Sequence, residues 1–125
     1  MKDREDIIKT YLEGYNGFDV SKMTTNFSEK IVFENIQNGE ITMTLNGLEE
    51  FKAQAETAKA YFSERQQKIK SFRREGEKSE IEIEYSGVLA IDFPNGLKKG
   101  DEIKLNGKSV FEFRNGKIIR LTDIS

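Results

Sequence analysis

The chain has 125 residues, 36% hydrophobic and 34% charged, and its 20 basic and 22 acidic side chains leave a net charge of −2. That near balance argues against a nucleic-acid partner, which calls for a clustered basic surface. With neither Cys nor His, disulfides, thiolate metal sites, Cys nucleophiles and the commonest general base are excluded, and acid–base chemistry falls to Asp, Glu, Tyr or Lys.

The length fits one domain over 1–125, able to bury roughly two-thirds of its unfolded surface around one core and one modest pocket. The N-terminal "MKDREDIIK" is charged and lacks the apolar core of a signal peptide. No apolar run approaches the ~18 residues of a membrane span, so a cytoplasmic protein without a membrane partner is expected. Six of the eight Asn residues precede Gly. Both residue types tolerate left-handed backbone angles, so these pairs punctuate the chain into short elements.

Ile7, Ile8, Tyr11, Leu12 and Tyr15 recur on one helix face, with Asp3 as N-cap and Asn16-Gly17 as the stop. Asp19 caps a second, short helix with Val20, Met23 and Phe27 on its apolar side. "KIVFENI" reads as a strand, turning at Asn38-Gly39 into "EITMTL". Asn46-Gly47 leads into a longer helix with Leu48, Phe51, Ala55, Ala58 and Phe62 on one face. Asn46 and Glu49 have the spacing of a capping box.

Four strands follow, at about 66–74, 79–93, 101–113 and 117–124. Gly87 inside the second predicts a bulge or sharp bend. Around Gly76 a hairpin pairs opposite charges on one face: Lys70 with Glu82 and Lys68 with Glu84 if pair numbers sum to 152, or Lys70 with Glu84 and Arg74 with Glu80 if they sum to 154. Ile69, Ile81, Ile83 and Tyr85 share the other face. The fold class is therefore α+β, with helices segregated to one face of a curved, antiparallel-rich sheet.

This order, the helix at "NGLEEF", the long strands and the closing "FEFRNGKIIRLTD" resemble the nuclear-transport-factor-2-like superfamily, and within it the SnoaL-like and ketosteroid-isomerase-like proteins. The resemblance implies a cone: a curved sheet wrapping the N-terminal helices around an internal, mostly apolar pocket. It also implies a homodimer through the convex sheet face, where Val110 and Ile118 would contribute. Members include isomerases, cyclases, dehydratases, non-catalytic ligand binders and dimeric scaffolds, so the fold alone does not settle function.

In the steroid isomerases a Tyr on the first helix donates to the developing oxyanion, a place that Tyr11 matches. Counting through "NFSEKIVFEN" puts Asn35 at the general-base position, and an amide cannot take a proton there. Strand alternation sends the neighbouring Glu34 to the opposite face. The second acid corresponds to Ser109 in "SVFEF". Steroid isomerisation is thus not expected. In SnoaL-like cyclases an Asp on the last strand is the acid–base, and "GKIIRLTD" puts Asp123 near it.

Which way Asp123 points depends on the Asn115-Gly116 turn. A two-residue loop would pair Arg114 with Lys117 and leave both faces mixed. A three-residue loop with a Gly116 bulge pairs Phe113 with Lys117. It gathers Phe111, Phe113, Ile119 and Leu121 with Ser109 and Asp123, saving a few kcal/mol of burial at ~1.5–3 per side chain. The three-residue loop is the expectation.

The expected pocket is edged by Tyr11, Asn35, Ser109 and Asp123. Phe33, Phe62, Tyr85, Phe111 and Leu121 form its apolar wall. No carboxylate cluster has metal-ligand spacing and no cofactor is called for. The leading expectation is binding of a small apolar or amphipathic organic ligand. The alternatives are an isomerase or cyclase with Asp123 as acid–base and Tyr11 as oxyanion donor, and a non-catalytic dimeric scaffold.

Overall fold

A computed structural model describes residues 3–125; Met1 and Lys2, the start of the charged N-terminal stretch, lie outside them. The elements are α1 (Arg4–Asn16), α2 (Val20–Met23), β1 (Phe27–Gln37), β2 (Glu40–Asn46), α3 (Leu48–Lys59), β3 (Phe62–Glu75), β4 (Lys78–Leu89), β5 (Glu102–Arg114) and β6 (Lys117–Ile124). The six strands form one sheet in the order β2-β1-β6-β5-β4-β3. β1 and β6 run parallel and the other neighbours antiparallel. This is the expected α+β cone. Among the described residues no helix is long and apolar enough to cross a membrane.

α1 forms as its spacing dictates. The Asp3 side chain accepts from Glu5 N, and Ile7, Ile8, Tyr11 and Leu12 are buried. At its end, Asn16 accepts from Gln67 N at 2.8 Å and donates to Gln67 O at 3.3 Å. β3 is an edge strand, and the Asn16 amide occupies backbone groups that no neighbouring strand can pair. α1 meets α2 so closely that a Cβ on Gly14 would lie 2.5 Å from Met23 N. α2 is capped as predicted, Asp19 accepting from Lys22 N at 3.0 Å.

α3 departs from expectation at both ends. Its N-cap is Gly47, at φ 91°, and not Asn46. Glu50 therefore holds the third helical position, and it is Glu50 that accepts from Asn46 N, at 2.8 Å. The helix stops at Lys59, so Phe62 opens β3 and does not extend the helix face. β3 thus starts at 62 and not 66, and β4 ends at 89 and not 93.

The β3–β4 hairpin uses the register summing to 152 only for part of its length. Lys68 faces Glu84 and Ile69 faces Ile83; a bulge then intervenes, and Arg73 faces Glu80. Lys70, the extra residue, reaches Glu84 at 3.7 Å. Gly87 marks no bulge: it pairs regularly with Arg65 and Ile103. Its missing side chain makes room for Phe62, whose ring would lie 3.0 Å from a Cβ there. The core sits between the concave face and the helices, with Ile81, Phe111, Ile118 and Leu121 fully buried among Ile8, Tyr11 and Phe51.

Candidate functional site

The closing hairpin resolves the direction of Asp123 by a route the sequence did not suggest. Arg114 pairs with Lys117 and Phe113 with Ile118, so the loop has two residues. Asn115 and Gly116, at φ 52° and 75°, supply the two left-handed positions such a turn requires. A bulge then follows on β6, because Glu112 pairs with Arg120 and leaves Ile119 as the extra residue. The expected Phe113–Lys117 pairing is therefore wrong. So is the placing of Ile118 on the convex face and Ile119 within: Ile118 is fully buried, and Ile119 is half-buried. The bulge lets the favoured Asn-Gly turn and an apolar inner wall coexist, by turning both Ile118 and Leu121 into the core. Ser109 and Asp123 are on that wall, as the sequence predicts.

Beyond the bulge, three of the predicted polar residues fall in one row across adjacent strands. Asn35 pairs with Asp123, Asp123 with Ser109, and Ser109 with Ile81. Paired residues present their side chains to the same face of a sheet. The buried Ser109 hydroxyl donates to Asp123 Oδ1 at 2.7 Å. Asn35 turns its amide toward the edge of the sheet and donates to Thr42 Oγ1 at 2.9 Å. Glu34 faces the other way and pairs with Arg120, as strand alternation requires.

Asp123 keeps part of its surface in solvent, yet its carboxyl is largely surrounded. Burial raises its pKa to about 6, against the smaller opposing effect of the Ser109 hydrogen bond. Above that pH it is a carboxylate able to take a proton; below it, an acid able to give one.

Tyr11 stands over this wall from α1. Its ring stacks on Phe27 at 5.6 Å and meets Phe111 edge-on at 5.7 Å. Burial, and then the charge of Asp123, push its pKa well above the ordinary phenol value, while Arg65 pulls the other way. Tyr11 is therefore a phenol that stays protonated, with a carboxylate and a guanidinium both within electrostatic reach.

The apolar wall is tighter than expected. Phe111 and Leu121 are fully buried and Tyr11 is nearly so. Phe33 is partly buried against Phe51, ring centres 5.6 Å apart. Three open grooves of about 460, 570 and 490 Å³ are lined largely by polar side chains, and none by Tyr11, Asn35, Ser109 or Asp123. On the concave side Phe33, Asn35, Tyr85 and Asp123 are part-exposed, and Leu105 is exposed at 44%. Leu105 pairs with Tyr85 on a stretch of β5 that extends past the end of β6.

Phe62 and Tyr85 belong to a second cluster, four residues further along β4 from the polar row. Their rings lie 6.0 Å apart, and the Tyr85 hydroxyl is 2.8 Å from that of Tyr15. Against Tyr15 lies Arg65, buried, its Nε donating to Tyr15 O at 2.8 Å. Arg65 lies one residue before the strand start that the sequence predicts, at 66, and so outside the expected site. Extending the alternation of Ile69 and Gln67 back by two residues would have placed it inside. Among the described residues no group of three or more His, Cys, Asp and Glu gathers to hold a metal.

Comparison with known proteins fits this geometry. The SnoaL-like domain family matches residues 8–121. An uncharacterised cystatin-fold protein from Novosphingobium aromaticivorans superposes with a TM-score of 0.81 at 17% identity, covering 100% of both chains. IdmH of Streptomyces antibioticus, a proposed polyketide cyclase, has a TM-score of 0.80 at 14% identity, covering 98% of this chain and 91% of its own. A proposed polyketide cyclase from Xanthomonas campestris has a TM-score of 0.79 at 21% identity, covering 97% and 88%. At these identities the likeness is one of fold. No curated protein matches.

Proposed function

The chain belongs to the SnoaL-like family, and from that premise we propose that it binds a small amphipathic organic molecule on the concave face, over Asp123. The observation that carries this reading is the Asn35–Asp123–Ser109 row, a polar strip let into an apolar wall and open to solvent at one end. Few, fixed polar groups on an apolar concave surface orient a ligand whose remaining area is buried by contact. Phe33, two residues from Asn35 on β1 and partly buried, lies beside the accessible end of the row and supplies that contact. Titration with 2-naphthol, followed by ¹³C NMR of the Asp123 carboxyl and the Leu121 methyls, tests it. Shifts at both are expected; shifts confined to convex-face residues such as Val110 would remove the reading.

A second reading, proton transfer, is favoured by the raised pKa of Asp123. In it the carboxylate takes a proton from a carbon next to a carbonyl, and the Tyr11 hydroxyl donates to the enolate oxygen that forms. A positioned general base contributes typically 10²–10⁴-fold. Two of the structural neighbours are proposed polyketide cyclases. The measurement is hydrogen–deuterium exchange into an enolisable aryl ketone. Asp123→Asn should slow it by about 10²-fold or more, with the wild-type rate rising through pH 6. An unchanged rate takes Asp123 out of catalysis.

A further inference from the structure

The concave face holds a second charged group that the proposed function leaves unused, and it deepens that function by defining the ligand's chemistry. Arg65 is only 6% exposed, and a guanidinium cannot shed its charge in a protein. Its Cζ lies 3.8 Å from the Tyr15 ring centre and 4.5 Å from that of Phe18, and Nε is satisfied by Tyr15 O. That carbonyl is near the C-terminus of α1, where the helix contributes partial negative charge only. Among the described residues no carboxylate forms an ion pair with Arg65, and Nη2 is buried without a hydrogen-bond partner. A buried charge in that condition is costly, which is why buried charges are ordinarily paired.

Beside it, the Tyr15 and Tyr85 hydroxyls bond to each other. In such a couple one hydroxyl donates and the other accepts, so the acceptor's own proton remains to be given. Burial holds both phenols protonated. This corner therefore offers a spare N–H, a spare O–H and a positive charge, and its complement is an anion. The corner meets solvent at the half-buried Tyr85, beside the exposed Leu105 with which it pairs; the open groove of about 570 Å³ next to it, which Arg65 also lines, has Glu64, Glu102 and Lys104 in its walls.

We infer that Arg65 and the Tyr15–Tyr85 pair form a subsite for the oxyanion of a small organic ligand, a carboxylate or a phenolate-type oxygen. Resting on the ligand-binding reading, this makes the molecule anionic at one end. Tyr15 and Tyr11 lie one turn apart on α1, so the subsite and the row on the concave wall sit under the same helix.

The test compares two flat probes of one shape, benzoate and neutral benzamide, on the full chain, by NMR of the Arg65 Nε–H and the Leu121 methyls. Benzoate should bind about tenfold more tightly than benzamide, the scale of one charge-assisted hydrogen bond, and should shift the Arg65 signal. Arg65→Gln should abolish the preference, and Tyr85→Phe, which keeps the ring, should weaken benzoate by about threefold or more. Replacing benzoate by 4-nitrophenolate distinguishes a carboxylate ligand from a phenolate, and preference for either anion supports the subsite. Equal affinity for benzoate and benzamide, or an Arg65 signal unmoved by bound benzoate, overturns it. If Arg65→Gln fails to fold, the wild-type signal decides alone. Benzamide shifting Leu121 without any preference for benzoate overturns the subsite and leaves ligand binding intact. Silence of both probes at both positions overturns both.

Discussion

The two polar corners of the concave face treat buried charge in opposite ways. At one, Asp123 has a single hydroxyl donor, and burial shifts its titration up to about 6. At the other, Arg65 is packed against two aromatic rings and one carbonyl, with an amino group left over. A carboxyl can escape desolvation by taking a proton; a guanidinium has no such exit. Strain at the acid corner therefore shows as a displaced pKa, and at the cation corner as an unmet donor. Where they cross β4, at Ile81 and Tyr85, the corners are four residues apart, about 13 Å at strand spacing, and Asp123 and Arg65 themselves stand three strands apart, on β6 and β3. α1 overlooks both, with Tyr11 one turn before Tyr15.

The largest effect should come from disturbing both corners together. Gly14→Ala drives a Cβ against the α2 backbone and moves the turn of α1 that joins Tyr11 to Tyr15. A loss of about 3 kcal/mol in urea unfolding is expected. A loss below about 0.5 kcal/mol would show that the two helices separate without cost.

Asp123→Asn isolates the acid corner. The unfolded carboxyl titrates near ~3.9 and the folded one at about 6, so the native state binds the extra proton between these values. Stability present below about pH 4 is lost as the pH rises through 6, by roughly 2–3 kcal/mol. The Asn variant should lack that slope, matching wild type at pH 4 and exceeding it at pH 8. Parallel stability curves for the two proteins would mean that Asp123 is not desolvated.

Ser109→Ala removes the hydroxyl that donates to Asp123. A cost of about 1–2 kcal/mol at pH 8 is expected, with the Asp123 carboxyl titrating above its wild-type value by ¹³C NMR. A downward shift would contradict the hydrogen bond.

The smallest effect, about 1 kcal/mol, is expected for Tyr85→Phe, which breaks the phenol pair. Combined with Asp123→Asn it should be additive at pH 8. A coupling above about 0.5 kcal/mol would show that the corners form one network, and would dissolve the distinction drawn above.

Much of this architecture was legible in the residues. Tyr11 was placed by helical spacing, and Glu34 was turned away from the concave side by strand alternation. Asp123 was correctly aimed inward, but for a partly mistaken reason. The burial argument for Phe111, Phe113 and Leu121 held, while the extra residue proved to be Ile119 and the turn kept its two-residue form. Arg65 was missed because a short apolar period next to a helix end does not say where the strand begins. Phe62 was misassigned for the same reason.

By itself the sequence determined the order of elements, the buried face of α1, most of the turns and the lack of His and Cys side chains. The structural features among these follow from local preferences: 3.6- and 2-residue periods, caps, and Asn-Gly pairs at left-handed positions. Phe27, expected on the apolar side of α2, instead opens β1, and Asn106-Gly107 lies within β5 and makes no turn. Tertiary structure alone decided the bulge at Ile119, the alignment of Asn35, Asp123 and Ser109 in one row, and the burial of Arg65 between α1 and β3. Register is chosen by packing between residues as far apart in the chain as Asn35 and Asp123, and no local pattern encodes that choice.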